Sequence, residues 1–189
     1  MKTFLLGAIL ISGILNLIMG IVIVFGSKEK NKSLPFAFYS FATFLVALSY
    51  YFIYQTEFTI SVRISYSLGA LIPTFLLAWI YNYSSKNFKK FNTVLIYFIG
   101  GLFVILPFLD GLVISEIHKS ATLGFIEERG VIFPFYLGFF IFTYGIVLFK
   151  LMQLYLTTAG EKKKEVGVIL AVFSLYGGIG ILLGLILPY

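Results

Sequence analysis

The 189-residue sequence has no cysteine, a single histidine and few charges. Without cysteine there is no disulfide framework, no thiolate metal site and no thiol nucleophile. One histidine, His118, cannot supply the paired imidazoles of a zinc site or a base beside an intramembrane serine. No glycine-rich loop ends in Lys-Ser or Lys-Thr, which removes the phosphate-cradling class. Charged residues make up 12% of the chain, about half the share a soluble domain needs to cover its surface. A water-soluble globule is thereby excluded, and the 60% hydrophobic content excludes disorder as well. The expectation is a bilayer protein with no catalytic residues, no cofactor and no metal.

What the sequence does contain is long apolar runs. A helix of about 20 mostly apolar residues spans the hydrocarbon core, and six stretches reach that length, at 4–26, 34–54, 62–83, 91–109, 131–155 and 166–187. The first runs on through Leu15-Asn16-Leu17-Ile18-Met19 with no small-residue cleavage site, so it reads as a retained helix, not a signal peptide. The predicted fold is therefore all-α: one domain over 1–189, a polytopic six-helix transmembrane bundle. Its short external hairpin, between helices four and five, comes from the extended-type segments flanking His118-Lys119-Ser120 within Asp110 to Gly130.

Basic residues orient the spans, because Lys- and Arg-rich connectors stay on the cytoplasmic side. Lys28, Lys30, Lys32, Lys86, Lys89, Lys90, Lys150, Lys162, Lys163 and Lys164 fall on one side; Lys2, Arg63, Lys119 and Arg129 fall on the other. The amino terminus is thus expected outside. The net charge of +6 reads as a topogenic and headgroup signal, not a nucleic-acid footprint.

No ionisable residue lies deep in a span, which removes the usual carriers of an ion-coupled transporter. Asn16, Ser49, Ser67, Thr74, Asn82, Thr143 and Ser174 are read as hydrogen-bonding between helices or to local backbone. Trp79 reads as an anchor at the inner interface, and Pro73 in mid-span predicts a kink. Gly177, Gly180 and Gly184 in the last span fit helix packing, either inside the bundle or at a dimer face. The candidate binding mouth is assigned to Arg63, Asp110, Glu127, Glu128 and Arg129, with Tyr50, Tyr54 and Tyr66 as its aromatic wall.

Several segments carry a family likeness: Asn31-Lys32-Ser33-Leu34-Pro35-Phe36-Ala37-Phe38-Tyr39-Ser40 and Tyr50-Tyr51-Phe52, then Leu71-Ile72-Pro73-Thr74-Phe75-Leu76-Leu77 with Tyr81-Asn82-Tyr83-Ser84, then Glu128-Arg129-Gly130-Val131 and Leu187-Pro188. On these the chain resembles the amino-terminal seven-helix membrane region of bacterial sensor histidine kinases and related signalling proteins. The resemblance implies an outside amino terminus in a bacterial cytoplasmic membrane, an external hairpin after helix four and a cytoplasmic output module after helix seven. The seventh helix, the phosphoacceptor helix and the ATP-binding domain are not in this sequence, and His118 would face the wrong compartment to replace the phosphoacceptor. A truncated sequence, a six-helix relative borrowing a partner's helix and a subunit of a larger assembly all fit that departure.

The functional expectation is a sensory or regulatory input module that binds an external small apolar or amphipathic ligand. Two alternatives stand beside it: a structural or assembly subunit with a membrane-protein partner or a second copy, and a facilitator for a small uncharged solute.

Overall fold

The computed structural model describes residues 2–27, 30–56, 59–84, 90–120 and 124–181. Six helices account for most of them: α1 (Lys2–Gly26), α2 (Lys30–Thr56), α3 (Thr59–Ser84), α4 (Lys90–Ile105), α5 (Phe133–Thr157) and α6 (Gly160–Ile181). Two strands, β1 (Ile114–Ser120) and β2 (Gly124–Arg129), pair antiparallel between α4 and α5. In lipid a helix satisfies every backbone group within itself, and that is why uninterrupted apolar runs take this form.

Among the described residues, four helices are long and apolar enough to cross a membrane, over Gly7–Gly26, Ser33–Ile53, Ile60–Ser84 and Phe133–Thr157. They correspond to the expected spans one, two, three and five. Within the stretch expected as span four, at 91–109, α4 stops at Ile105 and a 3₁₀ turn, Leu106–Phe108, follows. Pro107 explains the stop, since it donates no hydrogen bond and disfavours helical geometry in the residue before it. The 16 residues of α4 extend about 24 Å, and the tighter turn adds about 6 Å. The helix that holds the start of expected span six, at 166, begins earlier: α6 starts at Gly160 and carries Glu161 through Glu165 in its opening turns. A helix does not end where its apolar stretch does. The remainder of that span, 182–187, lies outside the described residues.

The bundle is organised around α3, which packs on α2, α4 and α5, whereas α1 packs on α2 and α6 on α5. The contrast is large, with 56% of the α3 span buried against 11% of the α1 span. Small residues set the close crossings. A methyl group on Gly13 would fall 2.6 Å from Ala47 Cβ, and one on Gly20 would fall 2.6 Å from Ser40 Cβ, so α1 and α2 approach at points one heptad apart. On the other side of the molecule Gly100 of α4 meets Thr74 of α3, where a methyl group would lie 2.9 Å from Thr74 Cβ and nearer still to its Oγ1 and Cγ2.

Two apolar clusters fill the bundle. One, at the end holding the start of α2 and the end of α3, contains Phe36, Tyr39, Leu76, Leu77, Trp79, Ile80, Val147 and Leu151. The other, at the opposite end, contains Ile53, Val62, Ala70, Val113, Ile114, Phe133 and Tyr136. Trp79 is only 6% exposed and its ring stacks on Tyr83 and Phe173. The expectation of an anchor at the inner interface is therefore corrected: the indole is a core group, because α6 brings Phe173 over its face.

The intramembrane hydroxyls and Asn16 bond mainly to backbone. Asn16 donates to Ser12 O (3.0 Å), Ser49 to Val46 O (2.8 Å), Thr74 to Ala70 O (2.8 Å) and Thr143 to Phe139 O (2.6 Å). Ser40 is fully buried at the α1–α2 crossing and its hydroxyl has no partner among the described residues. α3 runs unbroken through the buried Pro73.

Candidate functional site

Between α4 and α5 the chain leaves the bundle, forms the hairpin and returns. Asp110-Gly111 makes the first turn, and Gly111 takes a φ of +72°, a conformation open to glycine at little cost. Gly111 N–H donates to Ile114 O (3.2 Å). The outgoing and returning segments then lie side by side. Gly130 N–H donates to Val113 O (2.8 Å), Val131 N–H to Gly111 O (3.2 Å) and Ile132 N–H to Leu112 O (2.8 Å). Gly130 makes this possible: a methyl group there would lie 2.5 Å from the Leu112 carbonyl carbon and closer to the carbonyl oxygens of Gly111 and Leu112. Beyond this base, Ile114 pairs with Arg129 and Ile117 with Glu127, three steps on β1 against two on β2. That mismatch is a bulge.

The base of the hairpin is driven into the end of the bundle. Val113 and Ile114 are 1% and 2% exposed and pack with Ile53 of α2, Val62 of α3, and Phe133 and Tyr136 of α5. Tyr50 and Tyr66 lie partly buried against the same cluster. Tyr136 donates its hydroxyl hydrogen to the Tyr66 carbonyl, tying α5 to α3. Burial of one aliphatic side chain contributes about 1.5–3 kcal/mol, so Val113 and Ile114 together hold the cap with about 3–6 kcal/mol.

Polar contacts bind the cap to one stripe of α3. Arg63 forms an ion pair with Asp110 through Nη2, and its Nη1 donates to Phe108 O (3.4 Å). One turn on, Ser67 donates to Val104 O (2.7 Å). Val104 lies in the last turn of α4 and Phe108 at the end of the 3₁₀ turn, where helical hydrogen bonding runs out. The Arg63 side chain is largely buried and Asp110 is 88% exposed, so their attraction is screened and contributes about 1 kcal/mol or less. Arg63 Nε is buried and has no partner among the described residues. The Arg129 guanidinium sits 4.5 Å from the centre of the Phe133 ring, at the rim of the cluster.

Of the residues assigned to a mouth, Arg63, Asp110, Tyr50, Tyr66 and Arg129 come together at this end, and Glu128 is exposed on the hairpin beside them. The side chains of Glu127 and Tyr54 lie outside the described residues, as do the surroundings of Gly177 and Gly180 and the whole of Gly184. Sequence reasoning missed Val113, Ile114, Phe133, Tyr136 and Gly130. The Asp-Gly pair at 110–111 and the Phe-Pro pair opening α5 were the signals for them, since the first marks a turn and the second a helix start. The arrangement offers one guanidinium over an apolar floor, a group able to exchange Asp110 for another acceptor. Among the described residues no group of three His, Cys, Asp or Glu is placed to hold a metal ion. No family model matches the chain, and neither a curated protein nor a solved structure matches it.

Proposed function

We propose that the chain is a membrane-embedded sensory or regulatory input module with no catalytic core of its own. In this reading the hairpin and the amino terminus face outward from a bacterial cytoplasmic membrane, and the lysine-bearing connectors face the cytoplasm. The resemblance to the membrane region of sensor histidine kinases supports that orientation. An external small apolar or amphipathic molecule acts at the hairpin-capped end, among Arg63, Asp110, Tyr50 and Tyr66.

The observation that carries the reading is the shared ownership of the cap. Val113 and Ile114 belong to the hairpin, yet their neighbours are the ends of α2, α3 and α5, so a ligand that favours a displaced cap must repack three helix ends. Such a ligand acts only through unequal affinity for the two arrangements. The about 3–6 kcal/mol held by the two aliphatic side chains is comparable with the about 5.5 kcal/mol that moves a two-state population from 1:99 to 99:1.

Two measurements test this. The chain has no native cysteine, so Ser115→Cys and Asn87→Cys each carry a single label site. In intact cells an impermeant thiol reagent should modify the first and spare the second; labelling at position 87 overturns the orientation. The purified protein should then gain thermal stability with apolar or amphipathic compounds, as any ligand of the native state confers. An unchanged gain in correctly inserted Arg63→Ala and Tyr54→Ala proteins removes the site.

A second reading, an assembly subunit, has one specific observation in its favour. The α1 helix packs mainly on α2 and exposes Ile11, Leu15, Ile18, Val22 and Phe25. Recovery of the chain in a stable complex that dissociates when these positions are made bulkier would favour it.

A further inference from the structure

At the end opposite the hairpin, lysines and tyrosines interleave across three helices. Lys150 of α5 sits over the Tyr81 ring of α3, 5.5 Å from its centre. Lys162 of α6 lies 6.0 Å from the Tyr83 ring centre, and Lys163 lies 4.9 Å from that of Tyr155. An ammonium over an aromatic face gains orientation and about 0.5–1 kcal/mol at an exposed site, but its charge is not cancelled. No carboxylate among the described residues forms an ion pair with any of the three. Glu165 of α6 accepts a hydrogen bond from the Tyr83 hydroxyl (3.1 Å).

The rings are themselves held. Tyr83 stacks on Trp79, which stacks on Phe173. The Tyr155 ring packs against α6 where Gly167 leaves room, a methyl group there falling 3.0 Å from the ring. Lys163 precedes Gly167 by one turn, so the ammonium is placed above a ring that the glycine seats. Each of the three ammonium groups is thus held against a ring.

Depth narrows what such a set would bind. Lys150 enters seven residues before α5 ends at Thr157, about 10 Å along the helix, and its side chain is half-buried. Lys162 and Lys163 lie in the opening turn of α6, across the two-residue link 158–159. One cation therefore stands at the level of the apolar boundary and two stand just beyond it, beside Tyr side chains of the kind that sit at headgroups.

We infer that Lys150, Lys162 and Lys163, each seated on its own ring at Tyr81, Tyr83 and Tyr155, bind phosphate groups of anionic phospholipids in the surrounding bilayer. Basic pockets between helices at a membrane surface take such headgroups. The inference needs only that this end meets a bilayer surface and is independent of the sensory reading.

Trp79 is the sole tryptophan of the chain and stacks on the Tyr83 ring, so its fluorescence reports the nearest lipid. The intact protein is reconstituted in phosphatidylcholine vesicles holding a minor fraction of phosphatidylglycerol brominated high on its acyl chains. Quenching should exceed that by the same fraction of brominated phosphatidylcholine. Lys150→Gln and Lys163→Gln should each lower the preference about fivefold, the factor equivalent to the about 1 kcal/mol per basic residue near an anionic surface. Gly167→Ala should lower it without changing charge. Lys164→Gln, in the same turn but with no ring beneath it among the described residues, should change it less than about twofold. Equal quenching by the two lipids overturns the site, and an equal loss with Lys164→Gln reduces it to general surface charge. Displacement of the brominated lipid by inorganic phosphate assigns the cations to a soluble anion and overturns the lipid assignment.

Discussion

Replacing Gly130 with alanine tests how the hairpin is fastened. The added methyl group would fall 2.5 Å from the Leu112 carbonyl carbon, and every atom it meets is backbone, so the two segments must separate by at least about half an ångström. Three hydrogen bonds cross that gap, from Gly130 to Val113, from Val131 to Gly111 and from Ile132 to Leu112. At about 1 kcal/mol net for each bond, the expected loss is about 2–3 kcal/mol. Amide exchange in a bilayer or detergent disc reads it locally: protection at Val131 and Ile132 should fall about thirtyfold or more, since about 1.4 kcal/mol is a factor of ten. Gly138→Ala supplies the comparison, because that position in α5 has nothing within 4 Å of an added methyl group and alanine is favoured over glycine in a helix by about 0.5–1 kcal/mol. A Gly130→Ala protein whose protection at Val131 and Ile132 matches the parent would refute the close backbone approach.

Other perturbations probe the same framework. Gly100→Ala should destabilise the α3–α4 crossing by about 1–3 kcal/mol, and the double variant with Thr74→Ala should recover most of that in a denaturant titration. Ser67→Ala strands the Val104 carbonyl and should cost about 1–2 kcal/mol, whereas Ser40→Ala, which removes a buried hydroxyl without a partner, should be neutral or stabilising; the opposite order would sink both assignments. A double-mutant cycle with Arg63→Gln and Asp110→Asn should give a coupling of about 1 kcal/mol or less that shrinks as salt is added. Trp79 emission should be blue-shifted and shielded from aqueous acrylamide, while an indole open to water would contradict its place in the core.

Residue patterning made the helices legible because each expected span is an apolar run bounded by charge or a turn signal, and lipid leaves the backbone few other options. Boundaries were less so. Pro107 ended α4 early, although hydropathy alone continues to Leu109, and Glu161 through Glu165 joined α6 because helical hydrogen bonding does not depend on apolarity. Trp79 was misplaced for a related reason: its position near the end of a span suggested an interface, but only the fold brings Phe173 against it. At the capped end, Arg63 and Asp110 stood out as the ionisable residues flanking spans three and four. Val113, Ile114 and Tyr136 did not, since an apolar side chain announces burial without naming its neighbours.

The dependence of the cap on three helices also constrains biogenesis. As the chain is made, α2 arrives after α1, and α3 must be present before α4 and α5 have their main packing surface. Val113 and Ile114 leave the ribosome after Ile53 and Val62 but before Phe133 and Tyr136, so their seat is incomplete when they are made. Closure of the hairpin is therefore a late step of assembly, and the outgoing strand waits for the fifth helix.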